Sequence, residues 1–377
     1  MLKKGIIVKS VQKPTCVNPL SVSQKFCYDT KQFKYRVCLD LSRHLNKQFV
    51  SYTTTLDDYK TLIPHLEMNN YMASFDLEAA YHHIKLDPSI VKFFGFSIQS
   101  ENNDTQYYYF RYLVFGLKPA VYCMNKCTRP LMVYCHDQGI KTSIYIDDQF
   151  NTDTSSDKCW FSYLFMVFVF KTAGWSINSK KSSTQPLQKL KYLGFIIDTT
   201  SMKIFAPDEK LKRIIETIDS LIVDSQNKLI YCRRLASVLG NITHLYNSHG
   251  TIVKILTRQA QHLLGQDVTL KGWKCYLQIN SNVVEELKLL SKNLTSFNGA
   301  AIHKITKEVE VITPSQKTYL VNNVHPDWLN KEYTVFVSDA SNSHSFVYEA
   351  SKFSVIQEYK FTDEEAEQSS SYRIDIY

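Results

Sequence analysis

The sequence predicts an α+β protein: short strands with acidic ends come first, a helical module follows, and a further strand-bearing unit begins near residue 331. Three observations carry this expectation. Ser143-Ile144-Tyr145-Ile146-Asp147-Asp148-Gln149-Phe150-Asn151 is a β-branched and aromatic run broken by two aspartates, which reads as a hairpin with carboxylates at its tip. Leu211, Ile214, Ile215, Ile218 and Leu221 recur at three- and four-residue spacing, the pattern of one helix face. Tyr333 to Ala340 then reads as a strand after a mainly helical stretch.

The 377 residues leave room for two or three domains and a sizeable core. With 44% hydrophobic and 21% charged residues, the composition is that of a soluble globular protein. The longest apolar run, Cys159 to Phe170, is too short to span a bilayer and reads as a buried helix. Nine cysteines show no Cys-x-x-Cys pair and follow no secretory signal, so zinc and a disulfide framework are not expected. An intracellular compartment, cytoplasmic or nuclear, fits best. Residues 1–50 hold ten Lys or Arg against two Asp, a surplus as large as the net charge of +8 on the whole chain. Such a segment suits a polyanionic partner, and equally an ordinary solvated surface.

In chain order, residues 1–24 lack clear periodicity. Phe33 to Leu41 alternates like a strand, closed by Ser42 to Asn46. Residues 51–70 read as a short helix with Pro64 near its end. The strand ending at Asp76 follows, with Leu77 to His83 turning helical behind it. Phe93 to Ile98 and Tyr107 to Tyr112 read as a hairpin around the polar loop Gln99 to Gln106. Leu113 to Ala120 is a Gly/Pro-punctuated loop opening a helix that runs to Gly139. Trp160 to Ala173 is an apolar helix ended by Gly174, and Lys191 to Ile197 a strand. Pro207 stands in the first turn of the next helix. Leu235, Val238, Leu239, Ile242 and Leu245 mark a second helix, and residues 251–300 look mainly helical, through Trp273.

The aspartates carry the chemistry. Asp-Asp is a poor pair for a tight turn, where Asn-Gly or Asp-Gly is favoured, and adjacent like charges raise each other's proton affinity. Such a pair suits a hard divalent cation such as Mg²⁺. Asp76 closes a strand about seventy residues upstream, and three carboxylates on neighbouring strand ends can hold two cations for in-line phosphoryl transfer. The competing readings are solvated turn residues for Asp147 and Asp148 and a helix cap for Asp76.

Five segments occur together: Phe75-Asp76 with Tyr81, Phe115-Gly116-Leu117 with Ala120, Tyr145-Ile146-Asp147-Asp148, Gly174 to Lys181, and Leu193-Gly194-Phe195. In order and spacing they resemble a reverse transcriptase, over about residues 18–350. Arg129-Pro130-Leu131, Gln138-Gly139-Ile140 and Asn293 to Gly299 look most like the DIRS-type retrotransposons, which encode a tyrosine recombinase elsewhere.

The resemblance implies a right-hand polymerase: fingers and palm over 1–200, a helical thumb over 201–250, a connecting region over 251–330, and a partial RNase H-like α/β unit over 331–377. It implies two Mg²⁺, with Mn²⁺ as the alternative, on Asp76, Asp147, Asp148 and the backbone carbonyl of Leu77. Tyr81 matches the aromatic steric gate that excludes a 2′-hydroxyl, against the plainer reading of core packing. Arg36 matches the fingers arginine that grips the triphosphate. Lys25 is the candidate companion, though the intervening hairpin is longer than usual. Gly116 lets the backbone approach the template or incoming base. Lys181, in competition with Lys180, matches a lysine that donates a proton to pyrophosphate. Leu193-Gly194-Phe195 matches the primer grip, or a core strand. Val121 and Met124 depart from the family, which has proline and an aromatic there.

The implied activity is RNA-directed DNA polymerisation on an RNA template, with a DNA primer or RNA–DNA hybrid and deoxynucleoside triphosphates, and no membrane. The alternatives are an RNA-dependent RNA polymerase, which Tyr81 argues against, and an inactive retroelement remnant that only binds nucleic acid. Asp339 matches the first metal ligand of an RNase H-like unit. Ile374 stands where the family's next acidic ligand would follow Arg373, so the nuclease is expected to be incomplete and its first strand short of sheet partners. The oligomeric state is not legible.

Overall fold

In the computed structural model the acidic hairpin lies in a three-stranded antiparallel sheet. The structure describes residues 1–27, 32–100, 102–226 and 228–302, together with the backbone of strands 309–312, 318–321, 336–340, 344–349 and 354–360; the side chains of residues 25–27, 34 and 36 lie outside it. In that sheet Asp148–Asp153 is the middle strand, flanked by Tyr71–Asp76 and Lys141–Tyr145. The register pairs Asp76 with Asp148 and Tyr145 with Asp148. Successive residues face opposite sides: Phe150, opposite Ser74, is fully buried on one face against Tyr192, and Phe75, opposite Gln149, is fully buried on the other.

Helix Ser156–Thr172 covers the Phe75 face. Ser155 caps it by accepting a hydrogen bond from the Lys158 N–H at 3.3 Å. Cys159, Tyr163, Met166 and Phe170 recur at three- or four-residue spacing and are buried. Phe75 meets Phe170 and Tyr163 edge-on, with ring centroids 5.5 and 5.7 Å apart. Burying each such ring is worth about 1.5–3 kcal/mol. The sequence predicts a buried helix, but only one face is buried: Phe161 and Phe168 are 73% and 66% exposed. The sheet is large enough to cover one face only, and a uniformly apolar run cannot say which.

Ile7–Ser10, Thr105–Phe110 and Gly95–Gln99 form a second sheet in that order. Residues 1–24, which lack clear periodicity, are partly stranded: Ile7–Ser10 pairs with a strand a hundred residues away, and no local pattern marks that pairing. Leu20–Cys27 and Gln32–Leu39 form a hairpin in which Lys25 pairs with Lys34 and Arg36 with Ser23. The helix expected within 51–70 is short, Tyr59–Leu62, and runs into a 3-10 turn containing Pro64.

Lys191 to Ile197 is not one strand. Lys189–Tyr192 and Phe195–Asp198 form a hairpin with Tyr192 opposite Phe195. Leu193 and Gly194 both have positive φ, 44° and 80°, the signature of a two-residue I′ turn. Lys203–Phe205 and Ala300–Ala301 extend this sheet.

Helices Asp208–Ser225, Cys232–Thr243, Arg258–Lys271 and Ser281–Asn293 pack against one another. Leu211, Ile214, Ile218 and Leu221 are buried, as the spacing predicts, while Trp273 lies in a turn and is half exposed rather than helical. Residues Met1–Ala301 make one compact unit and Ile302–Tyr377 another.

In the second unit the described strands form one sheet in the order Thr318–Val321, Val309–Ile312, Ser354–Lys360, His344–Glu349, Phe336–Ala340. Phe336–Ala340 is thus an edge strand with a partner, and Asp339 sits opposite Phe346. The Asp339 side chain and residues 361–377 lie outside the described residues.

Candidate active site

Backbone geometry brings the three aspartates together. The hairpin turn is Ile146-Asp147, and Asp148 is already the first residue of its strand, so the tip carries one carboxylate and the strand end the other. Ile146 has a φ of +56°. A β-branched residue rarely adopts this conformation, and such strain gathers at functional sites. The Asp147 carbonyl accepts the Leu77 N–H at 2.9 Å, tying the tip to the end of the Asp76 strand.

Asp76 is only 7% exposed. Its Oδ1 accepts the Lys181 ammonium at 2.7 Å and its Oδ2 accepts the Asn178 side-chain amide at 3.1 Å. Asp148 has no such relief. Burial, then the charges of Asp147 and Asp76, push its carboxyl up to about 6 against the partial offset of Lys181. Tyr192, on the neighbouring hairpin, donates its hydroxyl to the Asp148 carbonyl at 2.9 Å.

Tyr81 lies in a 3-10 turn, Ala80–His83, that begins three residues later than the helical turn expected from Leu77. Its ring packs edge-on against Phe115 at 4.7 Å. Its phenol is raised by burial first and then by the charge of Asp147. Gly116, next to Phe115, has a φ of +85°, where any side chain is strained. Asn46 braces the loop by donating to the Gly116 carbonyl at 2.8 Å and accepting the Lys118 N–H at 2.9 Å.

The site therefore gathers Asp76, Leu77, Tyr81, Asp147, Asp148 and Lys181, with Gly116 one residue from the ring that Tyr81 touches. The side chains of Lys25 and Arg36 lie outside the described residues. Asn178 and Tyr192 were missed by sequence reasoning: Asn178 sits in a stretch scanned for its lysines, and Tyr192 in a run read as core strand.

The donor set suits a hard cation. Among the described residues no group of three or more His, Cys, Asp or Glu side chains forms a ready-made metal cage. Yet the backbone pairs Asp76 with Asp148 and ties Asp147 to Leu77, the charges of Asp147 and Asp76 raise the Asp148 carboxyl, and a lysine leans on Asp76. Hard oxygens with excess negative charge are what Mg²⁺ or Mn²⁺ binds.

Residues 26–197 match the family described as "Reverse transcriptase (RNA-dependent DNA polymerase)". This segment, just under half of the chain, is similar to a reverse transcriptase domain. No curated protein matches the chain in sequence. Among solved structures, a foamy viral protease-reverse transcriptase, in the dRH form with double-stranded DNA, aligns over 97% of this chain and 55% of its own, at 17% identity and a TM-score of 0.64. The foamy viral protease-reverse transcriptase with double-stranded DNA aligns over 97% and 65%, at 16% identity and a TM-score of 0.64. The same viral enzyme with an RNA/DNA hybrid aligns over 97% and 42%, at 15% identity and a TM-score of 0.59. The fold is thus that of a viral reverse transcriptase, and the chain spans between two fifths and two thirds of the length of these relatives. Among the described residues no helix is long and apolar enough to cross a membrane.

Proposed function

We propose that the chain is an RNA-directed DNA polymerase that extends a DNA primer on an RNA template, using deoxynucleoside triphosphates and two Mg²⁺. The observation that carries this is the backbone convergence of Asp76, Asp147 and Asp148 at paired strand ends, within a segment that matches a reverse transcriptase family. Asp76, Asp147, Asp148 and the Leu77 carbonyl hold the cations. Bound there, the cations supply Lewis-acid activation of the primer 3′-hydroxyl and neutralise charge on the leaving pyrophosphate.

The chain's own groups do the rest. Tyr81 forms a floor beneath the incoming sugar with no space for a 2′-hydroxyl. Gly116 admits the nucleotide or template backbone. Arg36 and Lys25 grip the triphosphate, and Lys181 holds a proton at Nζ for pyrophosphate. The Leu193-Gly194 turn bears on the primer end.

On this reading residues 1–200 act as fingers and palm, 201–250 as thumb, 251–330 as connection and 331–377 as a partial RNase H-like unit. The protein works where RNA and deoxynucleotides are found, in the cytoplasm or nucleus. Arg129-Pro130-Leu131, Gln138-Gly139-Ile140 and Asn293 to Gly299 support a DIRS-type retrotransposon as its source. The test is primer extension by the purified chain: changing the templating RNA base should change which deoxynucleotide is added. Addition indifferent to the template would refute the reading.

A further inference from the structure

The segment after Gly174 is built around Asp76. Gly174, at φ +90°, ends helix Ser156–Thr172 and turns the chain back along the outer edge of the Asp76 strand. Glu78 donates its N–H to the Ser176 carbonyl at 2.8 Å, and Leu77 bridges to Ile177. Further along, the Asp76 N–H reaches the Ser182 hydroxyl at 3.2 Å and the Ser74 N–H the Ser183 hydroxyl at 2.9 Å.

Asn178 is the most tightly held residue of this segment. Its N–H donates to the Asp76 carbonyl at 2.8 Å. Its own carbonyl accepts the Lys181 N–H at 3.1 Å and the Ser182 hydroxyl at 2.8 Å. The side-chain amide is thus delivered to Asp76 Oδ2 from a fixed backbone, so little conformational freedom is lost in making the bond.

The two side chains on Asp76 differ in kind. Lys181 places a full positive charge on Oδ1 from a long side chain that is 62% exposed; it can leave, and it competes with any cation. Asn178 is neutral and short. A carboxylate oxygen has two lone pairs, so Oδ2 can keep the amide while the group binds a cation.

We propose that Asn178 is a positioning residue that fixes the Asp76 carboxylate for cation binding, while Lys181 is an exchangeable counter-ion that yields Oδ1 when the cation enters. This rests on the polymerase reading of the site and adds to it a role that none of the recognised motifs assigns.

The test is Mn²⁺ binding followed by electron paramagnetic resonance, without nucleotide, on the full chain. Asn178→Ala should weaken Mn²⁺ roughly 10–100-fold, the usual cost of removing an outer partner of a ligand. In primer extension it should raise the Mg²⁺ needed for half-maximal rate by a similar factor and leave the rate at saturating Mg²⁺ largely intact. Lys181→Ala should tighten Mn²⁺, because a competing charge is gone. Asn178→Ser, which keeps a shorter donor, should fall between wild type and alanine, and it decides the matter alone if the alanine variant does not fold. Mn²⁺ affinity within twofold of wild type in Asn178→Ala, or in the serine variant in its stead, overturns the positioning role. Weaker binding in Lys181→Ala overturns the counter-ion role. Asp148→Asn separates the two levels. If it binds Mn²⁺ like wild type, the site reading fails and the inference with it; if it loses the ion while Asn178→Ala does not, only the role of Asn178 is refuted.

Discussion

Asp148→Asn should make the metal-free protein more stable while removing its activity. Asp148 sits among like charges, and its carboxyl is pushed from an ordinary 3.8 up to about 6, by burial first and then by Asp147 and Asp76. A tenfold change in proton affinity is worth about 1.4 kcal/mol, so the folded state opposes this charge by about 3 kcal/mol. Partial solvent access screens that to about 1–2 kcal/mol. The sign follows from linkage. The folded-state value lies above the unfolded one, so between about pH 4 and 6 the native protein binds more protons than the unfolded chain, and stability falls as pH rises. Above pH 6 the full cost remains; below pH 4 both states are neutral there and it vanishes. Asparagine keeps the shape and removes the charge. Urea unfolding in a metal chelator should therefore show Asp148→Asn more stable by about 1–2 kcal/mol at pH 8 and no different at pH 3.5. Saturating Mg²⁺ should stabilise wild type and do less for the variant. A variant less stable than wild type at pH 8 would mean that Asp148 is not held against repulsion, and the electrostatic description of the site would be wrong.

Other outcomes follow from the same structure. Tyr81→Val should raise the kcat/KM for ribonucleotides relative to deoxynucleotides, measured as a ratio on one template; an unchanged ratio returns Tyr81 to core packing against Phe115. Phe170→Ala, at a fully buried site against Phe75, should cost about 3–5 kcal/mol in urea unfolding, and a cost below 1 kcal/mol would contradict the packing of helix Ser156–Thr172 on the sheet. Charge reversal at Lys34 and Arg36 should lower the salt dependence of template binding by roughly 0.9 log units per log salt for each phosphate that is no longer neutralised. A salt slope indifferent to both changes would mean that other cationic groups bind the phosphates.

Much of this site was legible because it is written in short local words. Asp76, Tyr81, Gly116 and Tyr145-Ile146-Asp147-Asp148 lie at strand ends and turns, where backbone geometry alone fixes their place. The helix Asp208–Ser225 was legible for a similar reason, since its apolar spacing has one solution. What failed was non-local. The strand Ile7–Ser10 exists because Thr105–Phe110 is there to pair with it. The Leu193-Gly194 turn interrupts what reads as a continuous apolar strand, and a leucine at positive φ is a choice that local propensity argues against. Helix Ser156–Thr172 is apolar all round, so its buried face is set by the sheet beneath it and not by its own pattern. Asn178 could not be picked out from the serines and lysines around it, because its role depends on a carboxylate a hundred residues earlier.

The central claim is that Asp76, Asp147 and Asp148 support template-directed DNA synthesis. The most direct measurement is single-nucleotide addition to a DNA primer on an RNA template, comparing wild type with Asp147→Asn at equal occupancy of the duplex. Wild type should add the complementary deoxynucleotide in Mg²⁺. Asp147→Asn should bind the duplex nearly as well yet lose most of the addition, because the lost group holds the cation and not the nucleic acid. Addition at a near-wild-type rate by Asp147→Asn would contradict the account.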